Sequence, residues 1–277
     1  MEALGHAFLV PPPPSSAAAI VAALRVVSLA PPGPLYDTGL GTHRVVESLK
    51  HGFAIRLNMG DSGPAHGGAF DSDAAILNDV QDDDYVQGLW SMIQNDTTLE
   101  VHDYGGVWNL TRAGELVVDH GTSHFNVVDR DRRAVTMTTT INTSFGSKVV
   151  SPSTGIIFNN QMDDFSTPGR PNTYGLAPEV VNFIQPGKRP FSSMSPMVVE
   201  QGRDLRLVIG ARGGPRIIPG VMHVLLQILN DRMDAEKAVR NPRLFHQLVP
   251  DVVYAESWNS SACEFAYDAS ILKVAPA

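Results

Sequence analysis

Five short groups in this chain bring together hydroxyl, amide, carboxylate and glycine residues at positions where chemistry could be done. The first is Asp119-His120-Gly121-Thr122-Ser123-His124-Phe125 and the second is Thr138-Thr139-Thr140-Ile141-Asn142. The third is Asn159-Asn160-Gln161-Met162-Asp163-Asp164-Phe165. The fourth runs from Lys188 to Pro196 and carries Ser192 and Ser193, and the last is the turn Gly210-Ala211-Arg212-Gly213-Gly214. A hydroxyl is a nucleophile only when a base is held beside it. Carboxylates and amides bind cations and polar hydrogens, and a glycine turn opening a helix presents N–H groups to an anion. Each group also has an ordinary reading: threonine suits strands, Asn and Asp suit turns, and diglycine suits a tight bend.

The segments between these groups set where they stand. Ser15 and Ser16 can cap a helix over Ala17–Leu29 that is apolar on most faces and therefore expected to be buried. A second helix is expected after Thr42, with Val45, Leu49 and Phe53 on one stripe. Residues 61–70 are too rich in Gly and Pro to be regular, and residues 71–94 read as one or two helices. In the second of these, Asp82–Asp84 fall at the N-terminus, where carboxylates complement the helix dipole. Residues 122–129 and 134–142 form a predicted hairpin around Arg130–Arg133. Further strands are expected at 154–161, 197–201 and 205–209, followed by a helix over 215–230. Helices first, then strands, then strand-turn-helix fit a layered domain with polar residues at strand ends.

Composition removes several classes of function. The 277 residues are 43% hydrophobic and 18% charged, enough for a sizeable core. The net charge of −8 without a Lys/Arg cluster argues against nucleic acid as a partner. One cysteine, Cys263, excludes an internal disulfide framework and any multi-cysteine metal site, and no metal or other cofactor is called for. No basic-then-apolar leader begins the chain, and no long apolar run could span a membrane. Four N-x-S/T sequons, at Asn95, Asn109, Asn142 and Asn259, carry little weight alone. Gly60-Asp61-Ser62-Gly63-Pro64 has the look of a trypsin-like nucleophile loop, but the mostly helical residues before it leave no room for two β-barrels. His120 and His124 have a helical metal-ligand spacing but flank a predicted strand.

Taken together and in order, the five groups resemble the small-subunit region of the γ-glutamyltransferase (glutathione hydrolase) family, in its plant-like branch. The resemblance runs from about Thr42 to Leu248, is densest from Thr122 to Gly214, and is most specific in N-N-Q-M-D-D-F at residues 159–165. It implies an α+β fold, the αββα sandwich of N-terminal-nucleophile hydrolases, incomplete in this chain. It also implies a zymogen that cuts itself between Gly121 and Thr122. Residues 1–121 would then be a large-subunit remnant and 122–277 the small catalytic subunit, the two fragments remaining associated. The new α-amine of Thr122, with an ordinary pKa of about 7.7–8.0, would serve as base for its own hydroxyl.

By the same resemblance, Thr140 supports Thr122, and Gly213 and Gly214 supply oxyanion N–H groups. Asn142, Gln161 and Asp164 bind the substrate α-ammonium, while Ser192 and Ser193 bind its α-carboxylate. The implied donor is glutathione or another γ-glutamyl compound, and the acceptor is water, an amino acid or a dipeptide. Family members commonly enter the secretory route, to cell surface, apoplast or vacuole. Two departures stand against this. The family's carboxylate-clamping arginine, in an R-E-x-x-P-like stretch, has no counterpart here, and the D-P-R-like segment near the family's C-terminus is missing. Arg212 also replaces a small residue or proline beside the diglycine, where it would either supply a cation or block the pocket. A truncated, catalytically inactive family member is therefore the competing expectation.

Overall fold

The computed structural model describes residues 1–61, 72–109, 121–169, 180–259 and 264–268; Ser62, His120 and Cys263 lie outside them. Its centre is α1 (Ala17–Val27), buried at every residue except Arg25. An apolar helix with no polar face must be covered on all sides. Here α2 (Gly39–Arg56), α4 (Asp83–Met92) and α5 (Ile217–Leu229) pack around it. The α2 helix begins earlier than the Thr42 boundary expected from sequence, because Thr38 caps it by accepting a hydrogen bond from the Gly41 N–H at 3.0 Å. Residues 71–94 split into α3 (Ser72–Asp79) and α4, and the Asp82 carboxylate caps α4 through the Tyr85 N–H.

Beneath the helices lies a four-stranded antiparallel sheet in the order β1 (Glu2–Ala3), β2 (His6–Leu9), β5 (Met197–Gln201), β6 (Asp204–Ile209). Phe8, Met197 and Val199 are buried and belong to the same core as α1 and α5. The expected hairpin forms as β3 (Thr122–Val128) and β4 (Ala134–Thr140), with Thr122 opposite Thr140. It docks beside β5 and β6 through its polar face. Thr136 Oγ1 donates to the Ile209 carbonyl at 3.4 Å, and the His124 ring fills the space where a side chain at residue 210 would stand. Its other face leaves Phe125, Val127, Val135 and Met137 about half exposed. The remaining elements are α6 (Ala235–Arg240) and an antiparallel sheet of β7 (Leu244–Phe245), β8 (Tyr254–Asn259) and β9 (Glu264–Asp268).

Two local expectations need correction. Residues 154–161 form no continuous strand; only an isolated bridge joins Val150 to Ile157, because the Asn159–Asn160 pair turns into a short 3-10 helix at Gln161–Asp164. Ser16 holds the N-cap position of α1 but makes no side-chain cap. Its hydroxyl donates instead to the distant Ser192 carbonyl at 2.7 Å. No helix among the described residues is long and apolar enough to cross a membrane.

A buried ionic cluster anchors α2. Lys50 and Glu47, both 2% exposed, lie 3.5 Å apart, and Lys50 reaches Asp251 at 3.0 Å. Thr98 and Tyr104 donate to the Glu47 carboxylate, and Lys50 Nζ sits 4.4 Å from the centroid of the Tyr104 ring. Hydrogen bonds from His246 and Lys50 hold the Asp251 carboxyl down at about 2. Because that pKa is depressed, its contribution to stability is present above the unfolded value of about 3.9 and is lost as pH falls toward 2. Lys50→Met strands the Glu47 charge in the core and is expected to cost about 3–5 kcal/mol in denaturant unfolding. Adding Glu47→Gln should recover much of that loss; equal unfolding midpoints for Lys50→Met and the parent chain would show that the cluster carries no such constraint.

Candidate functional site

The start of β3 and the end of β4 meet at one hydroxyl. Thr122 Oγ1 donates to Thr140 Oγ1 at 3.0 Å, and the Asn142 N–H donates to the same oxygen at 2.8 Å. Thr140 in turn donates to the Gly121 carbonyl at 3.3 Å. A hydroxyl has one proton to give and two lone pairs to receive, so all of Thr140's capacity is used. The Gly121 carbonyl also accepts from the Ile141 N–H at 3.3 Å. Two donors therefore converge on the carbonyl that precedes Thr122.

This arrangement requires a glycine at 121. A Cβ there would stand 2.0 Å from the Asn142 carbonyl oxygen and 2.5 Å from that of Thr143. The chain next to it is held equally firmly. Asn142 is 1% exposed and sits at φ 72°, with its amide donating to the Asn160 carbonyl at 3.2 Å. The non-glycine left-handed conformation is strained and persists where surrounding bonds over-determine it. Burial of Asn142 also leaves no space for a glycan at that sequon.

Opposite the threonines, the 3-10 turn carries Gln161 and Asp164. Asp164 is 7% exposed, and its carboxylate accepts from the Gln161 amide. Asn182 fixes the turn by donating to the Asp164 carbonyl at 2.8 Å, and its own side-chain oxygen accepts from the Phe191 N–H at 2.9 Å. The serine loop is fastened at both ends. Ser192 N–H donates to the Pro14 carbonyl at 2.8 Å, and Arg189 makes a forked pair with the buried Asp61 carboxylate. Asp61 thus anchors the serine loop.

One cleft is lined by Thr122, Thr140, Asn142, Gln161, Asp164, Ser192, Ser193 and Gly214, so eight of the sequence-selected residues share it. Gly121 adjoins it through its carbonyl. Gly213 does not line it; with Arg212, Arg216 and Arg243 it borders a separate cleft of about 350 Å³. Arg212 therefore neither supplies the Thr122 cleft with a cation nor blocks it. Gly213 and Gly214 take φ of 119° and 57°, which only glycine adopts readily, and the chain turns there from β6 into α5. His124 belongs to hairpin docking: its ring stands against Gly210 and hydrogen-bonds Thr138 across the hairpin, and burial lowers its pKa.

A residue that the sequence reading did not select also lines the cleft. Arg56, the last residue of α2, is 3% exposed, and its guanidinium lies 5.0 Å from the Phe191 ring centroid. A signal was available: Arg56 falls on the stripe of Val45, Leu49 and Phe53, so a charge stands where the helical period demands burial.

Gly121→Ala is expected to lower stability by about 1–3 kcal/mol, since backbone atoms on both sides must move. The exposed Ser123→Ala serves as control. Unfolding of both in urea checks this, and a Gly121→Ala midpoint equal to that of the control would show that the close approach is not maintained.

Comparison with known proteins fits this geometry. Residues 1–269 match the family described as gamma-glutamyltranspeptidase. Among curated relatives, glutathione hydrolase 2 of Arabidopsis thaliana is 42% identical over 228 residues, covering 80% of this chain and 37% of the relative. A shorter Arabidopsis protein, named "Putative inactive glutathione hydrolase 4", is 38% identical over 203 residues, covering 73% of this chain and all of the relative. Against glutathione hydrolases 2 and 3 of that plant, the chain spans only 37% and 33% of their length. Cephalosporin acylase from Bacillus halodurans superposes with a TM-score of 0.66 at 18% identity, covering 89% of this chain and 40% of the acylase, which shows the fold alone. The fold is that of the N-terminal-nucleophile hydrolases, and the chain belongs to the γ-glutamyltranspeptidase family.

Proposed function

We propose that this chain carries the catalytic centre of a γ-glutamyl hydrolase/transferase that first cuts itself between Gly121 and Thr122. The observation that supports it is the Thr122–Thr140–Gly121 bond set, in which the nucleophile's hydroxyl, its hydroxyl partner and the scissile carbonyl are in direct hydrogen-bonded contact. In the uncut chain, Thr122 Oγ1 attacks the Gly121 carbonyl carbon. Negative charge developing on the carbonyl oxygen is met by the Thr140 hydroxyl and the Ile141 N–H, a small oxyanion hole. The C–N bond breaks, the Thr122 amine takes the proton, and water opens the resulting ester. Gly121 ends as a carboxylate and Thr122 as a free N-terminus, separating residues 1–121 from 122–277.

The exposed α-amine is then the base for the Thr122 hydroxyl in the transfer reaction. The hydroxyl attacks the γ-carbonyl of the donor, the amine proton passes to the leaving nitrogen, and a γ-glutamyl ester remains on Thr122. Gly214, which lines the cleft at the turn leading into α5, stabilises the tetrahedral oxyanion through its backbone N–H. Water or an acceptor amine attacks the ester and regenerates the hydroxyl. Asp164 binds the α-ammonium with Asn142, and a desolvated ammonium needs such a carboxylate. Gln161 must first release the carboxylate it now bonds. Glutathione is the donor this family membership favours.

The opposing reading, an inactive family member, has its own support: the chain spans 37% of glutathione hydrolase 2 but all of the relative named as putatively inactive. Expression of the chain and its Thr122→Ala variant, followed by denaturing gels and N-terminal sequencing, separates the two. A fragment beginning at Thr122 is expected from the parent and not from the variant, with turnover of a γ-glutamyl anilide that rises with pH through about 8 as the α-amine loses its proton. Intact chain from both, with no anilide released, would establish the inactive form. In an active preparation, Asp164→Asn should raise KM for the anilide at least tenfold, about 1.4 kcal/mol. An unchanged KM would place the ammonium elsewhere.

A further inference from the structure

Arg212, Arg216 and Arg243 line the second cleft together, and no acidic residue lines it. In a chain of net charge −8, this is a local concentration of the opposite sign. The three come from different elements: Arg212 from the turn after β6, Arg216 from the residue before α5, and Arg243 from the residue before β7. Like charges gathered at one place repel, so the fold must hold them there. Arg243 is held by Glu256, which is 7% exposed and accepts both arms of its fork at 2.8 and 2.9 Å. The Arg216 guanidinium lies 5.9 Å from the centroid of the Phe245 ring, whose face favours a cation. Arg212 is exposed on its turn and has no ion-pair partner among the described residues. Pro219, Leu244 and Phe245 give the same cleft an apolar surface.

We propose that this cleft binds a small organic oxyanion, a carboxylate or a phosphate carried on a flat apolar body. Guanidinium groups present N–H donors in a planar fork that matches either anion. Arg212 and Arg216 donate to the anion, while Arg243, already forked to Glu256, forms a fixed wall. The apolar body of the ligand lies on Pro219, Leu244 and Phe245, where aromatic and apolar groups lose water-exposed surface. Size agrees with this class of ligand. The cleft holds about 350 Å³, at the lower end of the roughly 300–1,000 Å³ usual for small-molecule sites. A bare inorganic ion would leave the apolar part of that space unused. The site is separate from the one described above: it shares no lining residue with the Thr122 cleft, and the Gly213–Gly214 turn divides the two. The proposal therefore stands whether or not the chain turns over a γ-glutamyl donor.

Titration calorimetry on the full chain tests this with phenyl phosphate and phenylacetate as aryl anions, and with benzyl alcohol and inorganic phosphate as controls. At least one aryl anion is expected to bind tenfold or more tightly than either control, and which of the two binds better tells phosphate from carboxylate. The double variant Arg212→Gln/Arg216→Gln should weaken that ligand at least tenfold. Arg212→Gln alone, an exposed change that is the fallback if the double variant does not fold by thermal melting, should weaken it severalfold. Arg203→Gln removes an exposed charge outside the cleft and should change nothing. Equal weakening by Arg203→Gln and Arg212→Gln would reduce the effect to general charge attraction and overturn the site. Binding of inorganic phosphate or benzyl alcohol as tight as that of the aryl anions would overturn the ligand class, and failure of both aryl anions to bind overturns the proposal outright.

Discussion

The structure around the cleft depends on one saturated hydroxyl. Thr140 accepts from Thr122 and from the Asn142 N–H and donates to the Gly121 carbonyl, so three residues on the two strand ends are referenced to a single oxygen. Moving any one of them leaves a part-buried polar group without its partner, a loss of about 1–3 kcal/mol. The hairpin register, with Thr122 opposite Thr140, puts the two hydroxyls on the same face. A slip of one residue would turn both to the other side. The Gly121 approach to Asn142 follows from the same constraint, because the strand end can come this near only where no Cβ intervenes.

The hairpin inverts the usual pattern. Its strands alternate, as a half-buried ribbon should, but the face turned toward β5 and β6 carries Thr122, His124, Thr136, Thr138 and Thr140. The apolar face, with Phe125, Val127, Val135 and Met137, is the exposed one. Hydrophobic burial alone would choose the reverse. The polar face is held by specific bonds instead: Thr136 to Ile209, His124 to Thr138, and the His124 ring against Gly210. The apolar face is a surface of the kind that a further layer of an αββα sandwich covers, and the helices among the described residues pack on the other side of the molecule's sheet.

The helical layer has a second task beyond burying α1. Its α2 helix is anchored by the Lys50–Glu47–Asp251 cluster at its middle and ends on Arg56 in the cleft. Ser16, at the start of α1, gives up a local cap to connect Arg56 with the serine loop. Asp61 and Arg189 hold the other side of that loop. One side of the cleft is thus assembled from segments at residues 14–16, 56–61, 161–164 and 182–193.

The sequence by itself determined the family, the helices, the hairpin and most residues of the cleft, because these are local: a helical stripe, an alternation around a turn, and the run N-N-Q-M-D-D-F all lie within a few residues. The resemblance also picked out Thr122, Thr140 and Asp164, which the structure brings to one cleft. Only the tertiary structure decided which residues face one another. It separated Gly213 from Gly214 into neighbouring clefts, sent Arg212 away from Thr122, exposed the apolar side of the hairpin, and brought Arg56 to Ser193 across 137 positions. Long-range pairing of this kind leaves little local trace, because a buried arginine and an exposed one are the same letter until the fold supplies the partner.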